Sequence, residues 1–244
     1  MSIKGKHAVV TGGNRGIGRA VADALSDAGA TVSIISRTAS GVKTPFAAFD
    51  ADMLDEAALQ SAFARARAKN GSVSILINNS GLARSAPIER TTRELWDETL
   101  GINLTGTFLC IKNVVADMRT AGYGRIVQVA SIAGLYGAPY LSAYSASKHG
   151  VVGLTRALAQ ELGADGITVN ALCPGYTETD MLERAIENIV GKTGKSAEEA
   201  KAYLASSNPQ GRLVAPREVA QSVVELCVSD RNGECLILPG EEVA

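Results

Sequence analysis

Eight residues near the amino terminus, Thr11-Gly12-Gly13-Asn14-Arg15-Gly16-Ile17-Gly18, separate a short apolar run from a segment of helical period. Residues 7–11 (HAVVT) read as a buried strand, and residues 17–28 as a helix with Ala20, Val21, Ala24 and Leu25 on one face. Gly12 allows the tight exit turn, Gly16 lets the backbone approach a pyrophosphate, and Gly18 lets the helix pack close to the sheet. The free N–H groups of the helix then face the anion. A glycine cluster alone is a weak signal. Its place after a first strand and at a helix start makes it a dinucleotide loop rather than a plain turn.

The same alternation continues along the chain. Strand-like runs at 31–36, 45–49, 72–78, 124–130, 167–172 and 234–238 are separated by helical patterns at 55–69, 92–99, 100–119, 144–163 and 216–228. Strands apolar on both faces, alternating with helices, call for a parallel sheet covered on both sides. The expected fold class is α/β: a Rossmann-like, doubly wound parallel sheet of about seven strands with helices on both faces. No repeat or linker divides residues 1–244, so one domain is expected, with the more polar helical stretch 178–207, interrupted at 191–194, as an excursion from it.

Composition narrows the function. Hydrophobic residues at 46 % supply a sizeable core, and 24 Lys and Arg against 25 Asp and Glu leave no broad cationic face for nucleic acid. No run approaches the roughly 18 unbroken apolar residues of a membrane helix, and residues 1–6 carry no apolar signal core. A cytoplasmic protein without a membrane partner is expected. Cys110, Cys173, Cys227 and Cys235 lie far apart, and the two histidines, His7 and His149, form no cluster with them. Buried free thiols are expected, and no metal site.

The end of the second strand selects the dinucleotide. An NAD site places a carboxylate there for the ribose 2′-hydroxyl; here stand Ser36-Arg37-Thr38. Ser36 can donate a hydrogen bond and Arg37 can pair with a 2′-phosphate, with Arg15 as a second cation. The pair favours NADP(H).

Ser131 follows the strand GRIVQVA, at the carboxyl edge where such sheets bind ligands. Tyr144 and Lys148 stand four apart on a helix and share one face. A free phenol titrates at about 10, and a neighbouring ammonium is expected to lower that value. The trio supplies a proton donor for a carbonyl oxygen or a base for an alcohol.

Together these motifs strongly resemble the short-chain dehydrogenase/reductase family. TGGNRGIG matches its cofactor loop, Asn78-Asn79-Ser80-Gly81 its NNAG motif with serine for alanine, and Asn103 its helix asparagine. Ser131, Tyr144-Ser145-Ala146-Ser147-Lys148 and Pro174-Gly175 match in order and spacing over nearly the whole chain. The resemblance implies hydride transfer between nicotinamide C4 and a carbonyl or secondary-alcohol carbon. It makes Tyr144 the general acid/base, with Ser131 positioning the substrate oxygen. Lys148 would bind the nicotinamide ribose and lower the tyrosine pKa, and Asn103 would hold a water in the proton relay. Cofactor contacts are implied for Gly12, Asn14, Arg15, Gly16, Ile17 and Gly18. Further contacts are implied for Ser36, Arg37, Asp52 and Met53 at the adenosine end, and for Asn79, Ser80 and Gly81 in the groove. Pro174, Gly175 and Thr177 would meet the nicotinamide end.

By the same resemblance, 178–207 takes the place of the substrate lid, with Met181, Leu182, Ile186, Ile189 and Val190 available to face inward. Leu82, Ile132, Ala133, Leu135, Leu141 and Tyr176 are candidates for the pocket, and none carries charge. A neutral ketone end is therefore expected. The chain also resembles 3-oxoacyl thioester reductases and polyketide ketoreductases within the family. Carrier-protein reductases usually place basic residues where this chain has Gly122 and Asp165, which favours a CoA thioester or free ketone, with Arg119 or Arg125 as cations that could compensate. A 3-oxoacyl-[acyl-carrier-protein] reductase is the alternative. A non-catalytic nucleotide-binding sensor is a third reading, opposed by the presence of both Tyr144 and Lys148. The family commonly forms homotetramers, but residues 236–244 (LILPGEEVA) replace its usual VDGG ending at one of the interfaces.

Overall fold

The computed structural model describes residues 2–238 and 241–242. The chain opens with β1 (His7–Thr11), α1 (Gly16–Asp27), β2 (Thr31–Ser36), β3 (Ala47–Asp50), α2 (Glu56–Asn70) and β4 (Val73–Asn78). It continues through α3 (Arg93–Leu100), α4 (Gly106–Ala121), β5 (Gly124–Val129), α5 (Ser142–Leu162) and β6 (Ile167–Cys173). Then come α6 (Asp180–Thr193), α7 (Ala197–Ser206), α8 (Pro216–Val228), β7 (Cys235–Ile237) and β8 (Glu241–Glu242).

Among the described residues the sheet has eight strands in the order β3-β2-β1-β4-β5-β6-β7-β8. Seven run parallel, and β8 pairs antiparallel with β7. The expected seven-stranded Rossmann-like sheet is thus present, extended by a two-residue edge strand. The sheet order reverses between β1 and β4, and the crevice at their carboxyl ends is where such folds take ligands.

Alternate residues of each strand feed two cores. Val10, Ile34, Ile77 and Val127 meet Val21 and Leu25 of α1 and Val223 and Cys227 of α8. Val9, Ile35, Leu76 and Ile126 meet Leu59 and Phe63 of α2 and Val114 and Met118 of α4. Truncating one such side chain, for example Leu25→Ala, costs about 2–5 kcal/mol.

Three expected boundaries moved. The third strand begins at Ala47 rather than 45, since Pro45 has no N–H for the ladder. The helices expected at 92–99 and 100–119 join through a π turn, Gly101–Thr105, which takes up an extra residue without breaking the axis. The interruption expected at 191–194 falls later. Gly191 lies inside α6, Gly194 ends it at φ +71, and Ser196 and Glu199 start α7 with a capping box.

The joined helix Arg93–Ala121 is long and apolar enough, by length and composition, to cross a bilayer. Its apolar residues Leu109, Cys110, Ile111, Val114 and Met118 are buried against the sheet. All four cysteines are free and buried.

Candidate active site

The glycine loop leaves β1 through Gly12 at φ +65. A Cβ on Gly18 would collide with the Gly12 carbonyl and the Asn79 amide, so α1 starts as close to the sheet as backbone permits. Gly13 is as constrained, because a Cβ there would strike Ile34 of β2. The α1 start has no side-chain cap and no acid in its first turn, which leaves its N–H groups to an anion.

Thr11 ties this loop to the end of β4. Its Oγ1 accepts from Asn79 N at 3.0 Å and Ser80 N at 3.1 Å, while Asn79 Nδ2 donates to Thr11 O at 3.0 Å. Thr11 opens the glycine motif, yet its role depends on a partner 68 positions away.

At the end of β2 the Ser36 hydroxyl is buried without a hydrogen-bond partner, and Arg37 beside it is exposed. The hydroxyl stands next to a cation, and Asp50, which β3 sets opposite Ser36, is taken up by the Ser40 N–H and hydroxyl, an arrangement that suits a phosphorylated ribose. Arg15 instead reaches Asp180 at the start of α6, at 3.1 Å. Asn14 and Ile17 are half-buried in the loop. Asp52 accepts from Leu54 N at 3.0 Å. The Met53 side chain is buried where a Cβ on Gly106 of α4 would meet it. Any adenine contact at this pair therefore falls to Asp52 and the backbone.

Ser131 lies two residues past the end of β5, and its Oγ accepts from Ala133 N at 3.1 Å, capping the turn Ile132–Gly134. Tyr144 and Lys148 lie one turn apart on α5, with Lys148 Nζ 5.8 Å from the phenol ring centre. Lys148 is buried and donates to Val129 O at 2.8 Å. Burial pulls its ammonium down to about 8.

The phenol does not behave as the sequence led one to expect. Burial pushes Tyr144 up to about 12, and a hydrogen bond with Ser131 opposes this only in part. Desolvation of the phenol is the largest cause of the shift, and the Lys148 ammonium is directed to the Val129 carbonyl.

Asn103 sits in the π turn. Its Oδ1 accepts from Leu82 N at 2.8 Å, and Nδ2 donates to Leu82 O and Ser147 Oγ, both at 2.9 Å. A Cβ on Gly81 would lie 3.4 Å from Asn103 Oδ1 and 3.8 Å from Lys148 Nζ, which places these groups around one point. The Asn103 side chain thus braces the loop after β4 against α5, while its main-chain carbonyl accepts from Thr107 Oγ1 at 2.8 Å.

Pro174, Gly175 and Thr177 follow β6, and Pro174 O accepts from Ile132 N at 3.1 Å. Of the residues expected to face inward from 178–207, Leu182 is buried and Ile186, Ile189 and Val190 are half-buried. Met181 is 43 % exposed, because its neighbour Leu182 takes the inward face of α6.

An anion cradle and a half-buried proton donor beside one crevice can bind a dinucleotide and protonate a carbonyl oxygen next to it, the work of a Rossmann-type oxidoreductase. Residues 6–189 match the family described as short chain dehydrogenase, and the chain belongs to that family. It is 39 % identical over 229 residues to acetoacetyl-CoA reductase of Rhizobium meliloti (strain 1021), covering 91 % of each chain. It is 40 % identical to granaticin polyketide synthase putative ketoacyl reductase 1 of Streptomyces violaceoruber, covering 91 % of this chain and 86 % of that one. A crystal structure of an actinorhodin polyketide ketoreductase variant with NADPH superposes with a TM-score of 0.90 at 35 % identity, covering 96 % of this chain and 95 % of that one.

Proposed function

We propose that the chain is an NADP(H)-dependent ketone reductase and secondary-alcohol dehydrogenase whose substrate is a 3-oxoacyl-CoA or a small free ketone. The observation that carries this is the meeting of Ser131, Tyr144 and Lys148 at the carboxyl end of β5, next to the glycine loop. The NADP(H) preference is supported by the orphaned Ser36 hydroxyl beside Arg37 and by the NADPH complex of the ketoreductase relative.

When bound, reduced nicotinamide supplies the hydride that adds to the carbonyl carbon. Ser131 donates a hydrogen bond to the carbonyl oxygen, and Tyr144 Oη delivers the proton to that oxygen. A phenol raised to about 12 stays protonated at neutral pH, which suits it to reduction. Lys148 Nζ holds the cofactor ribose and returns the proton to Tyr144, drawing on a water at the Asn103 carbonyl. Gly12, Gly16 and Gly18 admit the pyrophosphate, and Asn79, Ser80, Gly81, Pro174, Gly175 and Thr177 line the groove.

The carrier-protein alternative loses support at its two compensating cations. Arg119 is paired with Asp165 at 2.8 Å and Glu161 at 3.6 Å, and the Arg125 side chain is 3 % exposed. Neither offers free positive charge to an acidic carrier.

Residues 1–244 act as one domain in this reading, with 178–207 as the substrate lid. Free thiols agree with a reducing cytoplasm. A homotetramer is supported by Phe108 of α4, 47 % exposed, on the helix where the family's subunits meet; light scattering showing a monomer at micromolar concentration would refute it.

The deciding experiment offers acetoacetyl-CoA, β-keto esters, small ketones and secondary alcohols, followed by NADPH absorbance. Turnover of an acyl-CoA or ketone is expected. Binding of NADPH with no turnover across the panel would instead support the sensor reading.

A further inference from the structure

Asn208, just past α7, is 3 % exposed and uses its whole side-chain amide on the main chain of two other segments. Oδ1 accepts from Tyr176 N at 2.7 Å, while Nδ2 donates to Tyr176 O at 3.0 Å and to Arg212 O at 2.7 Å. Bonding both the N–H and the C=O of one residue is what a neighbouring strand would do. Here it happens where β6 has already ended at Cys173.

The same segment is held on its other side by Ile132 N, which donates to Pro174 O at 3.1 Å and directly follows Ser131. Beyond Tyr176, Thr177 bridges to Val214, and Glu178 N donates to Val214 O at 3.0 Å. Gly175 owes its lack of a side chain to this contact, because a Cβ there would collide with the Asn208 amide. The chain leaves for α6 and α7 at Glu178 and returns at Asn208, so this one residue joins the end of that excursion to its beginning.

We propose that Asn208 is a positioning residue that sets segment 174–177 at the depth where it meets the nicotinamide end of the cofactor. The proposal rests on the cofactor reading above. Asn208→Asp keeps the shape and one acceptor, but turns both donor sites into lone pairs facing the carbonyls of Tyr176 and Arg212. Repulsion and an unsatisfied buried carbonyl then push the segment out of place. Asn208→Ser leaves a shorter group that reaches at most one partner.

The test titrates the unsubstituted protein, Asn208→Asp and Asn208→Ser with NADPH, by nicotinamide fluorescence. A parallel calorimetric titration uses adenosine 2′,5′-bisphosphate, which carries only the adenosine-end phosphates. NADPH affinity is expected to fall about tenfold or more in the Asp chain and less in the Ser chain. Affinity for the bisphosphate, which reads the glycine loop, Arg15 and Arg37, is expected to stay within about twofold. Unchanged NADPH affinity in either folded variant overturns the proposal. Equal weakening of both ligands also overturns it, since that assigns Asn208 to fold maintenance alone. Should the Asp chain fail to fold, the Ser chain decides by the same two criteria. An unsubstituted protein that binds neither ligand overturns the cofactor reading, and the proposal with it.

Discussion

Arg15 Nη1 of the glycine loop lies 3.1 Å from Asp180 Oδ2 at the start of α6, with both side chains more than half exposed. The cation proposed for the 2′-phosphate thus has a carboxylate competing for it. An exposed pair of this kind is worth about 0.2–1 kcal/mol. Asp180→Asn is expected to tighten NADPH binding about two- to fivefold and leave NADH unchanged, read by titration of both. A weaker NADPH complex would show that Asp180 holds Arg15 in place rather than diverting it.

Arg37 is exposed beside the orphaned Ser36 hydroxyl. A charge-assisted bond to phosphate contributes about 1.5–3 kcal/mol, or roughly ten- to a hundredfold in preference. Arg37→Asp should shrink or reverse the ratio of kcat/KM for NADPH over NADH. Equal efficiency with both cofactors in the unsubstituted protein would defeat the assignment.

Removing the proton donor while keeping the ring isolates its chemistry. Tyr144→Phe is expected to lower kcat at least about a hundredfold with NADPH affinity retained, since positioned proton transfer supplies about 10²–10⁴. Near-normal turnover would take Tyr144 out of the mechanism.

Lys148 lies buried at a cost. Burial draws its ammonium from 10.5 to about 8, and that gap corresponds to about 3 kcal/mol. Between those pH values the unfolded chain holds more protons than the folded one, so this residue's contribution to stability rises with pH. Below about 8 the cost is present in full. Lys148→Met, though it also loses the bond to Val129 O, is expected to raise Tm by several degrees at pH 7 while abolishing turnover. The gain in Tm should shrink as pH rises toward 10. Thermal melts of the cofactor-free proteins at both ends of that range decide it, and a lower Tm at pH 7 would show that the Val129 bond outweighs desolvation.

Much of the fold was legible because its signals are local. β1, β2 and α8 run where apolar period and Pro216 place them, since burial on one or two faces leaves its mark at spacings of two to four residues. The motif residues Gly12, Gly18, Ser131, Tyr144 and Lys148 were legible for a similar reason: each occupies a defined offset from an element end. The edge strand β8 was not, because two residues carry no period.

What the amino-acid order determined by itself was the succession of strands and helices, the glycine turn, and which side chains gather at the carboxyl edge of the sheet. Tertiary structure alone decided how those side chains behave. The bond of Asn208 to Tyr176 spans 32 positions and that of Arg15 to Asp180 spans 165, so neither leaves a trace in local spacing. The upward shift of Tyr144 reverses the expectation from its lysine neighbour, because desolvation is set by everything packed around the phenol.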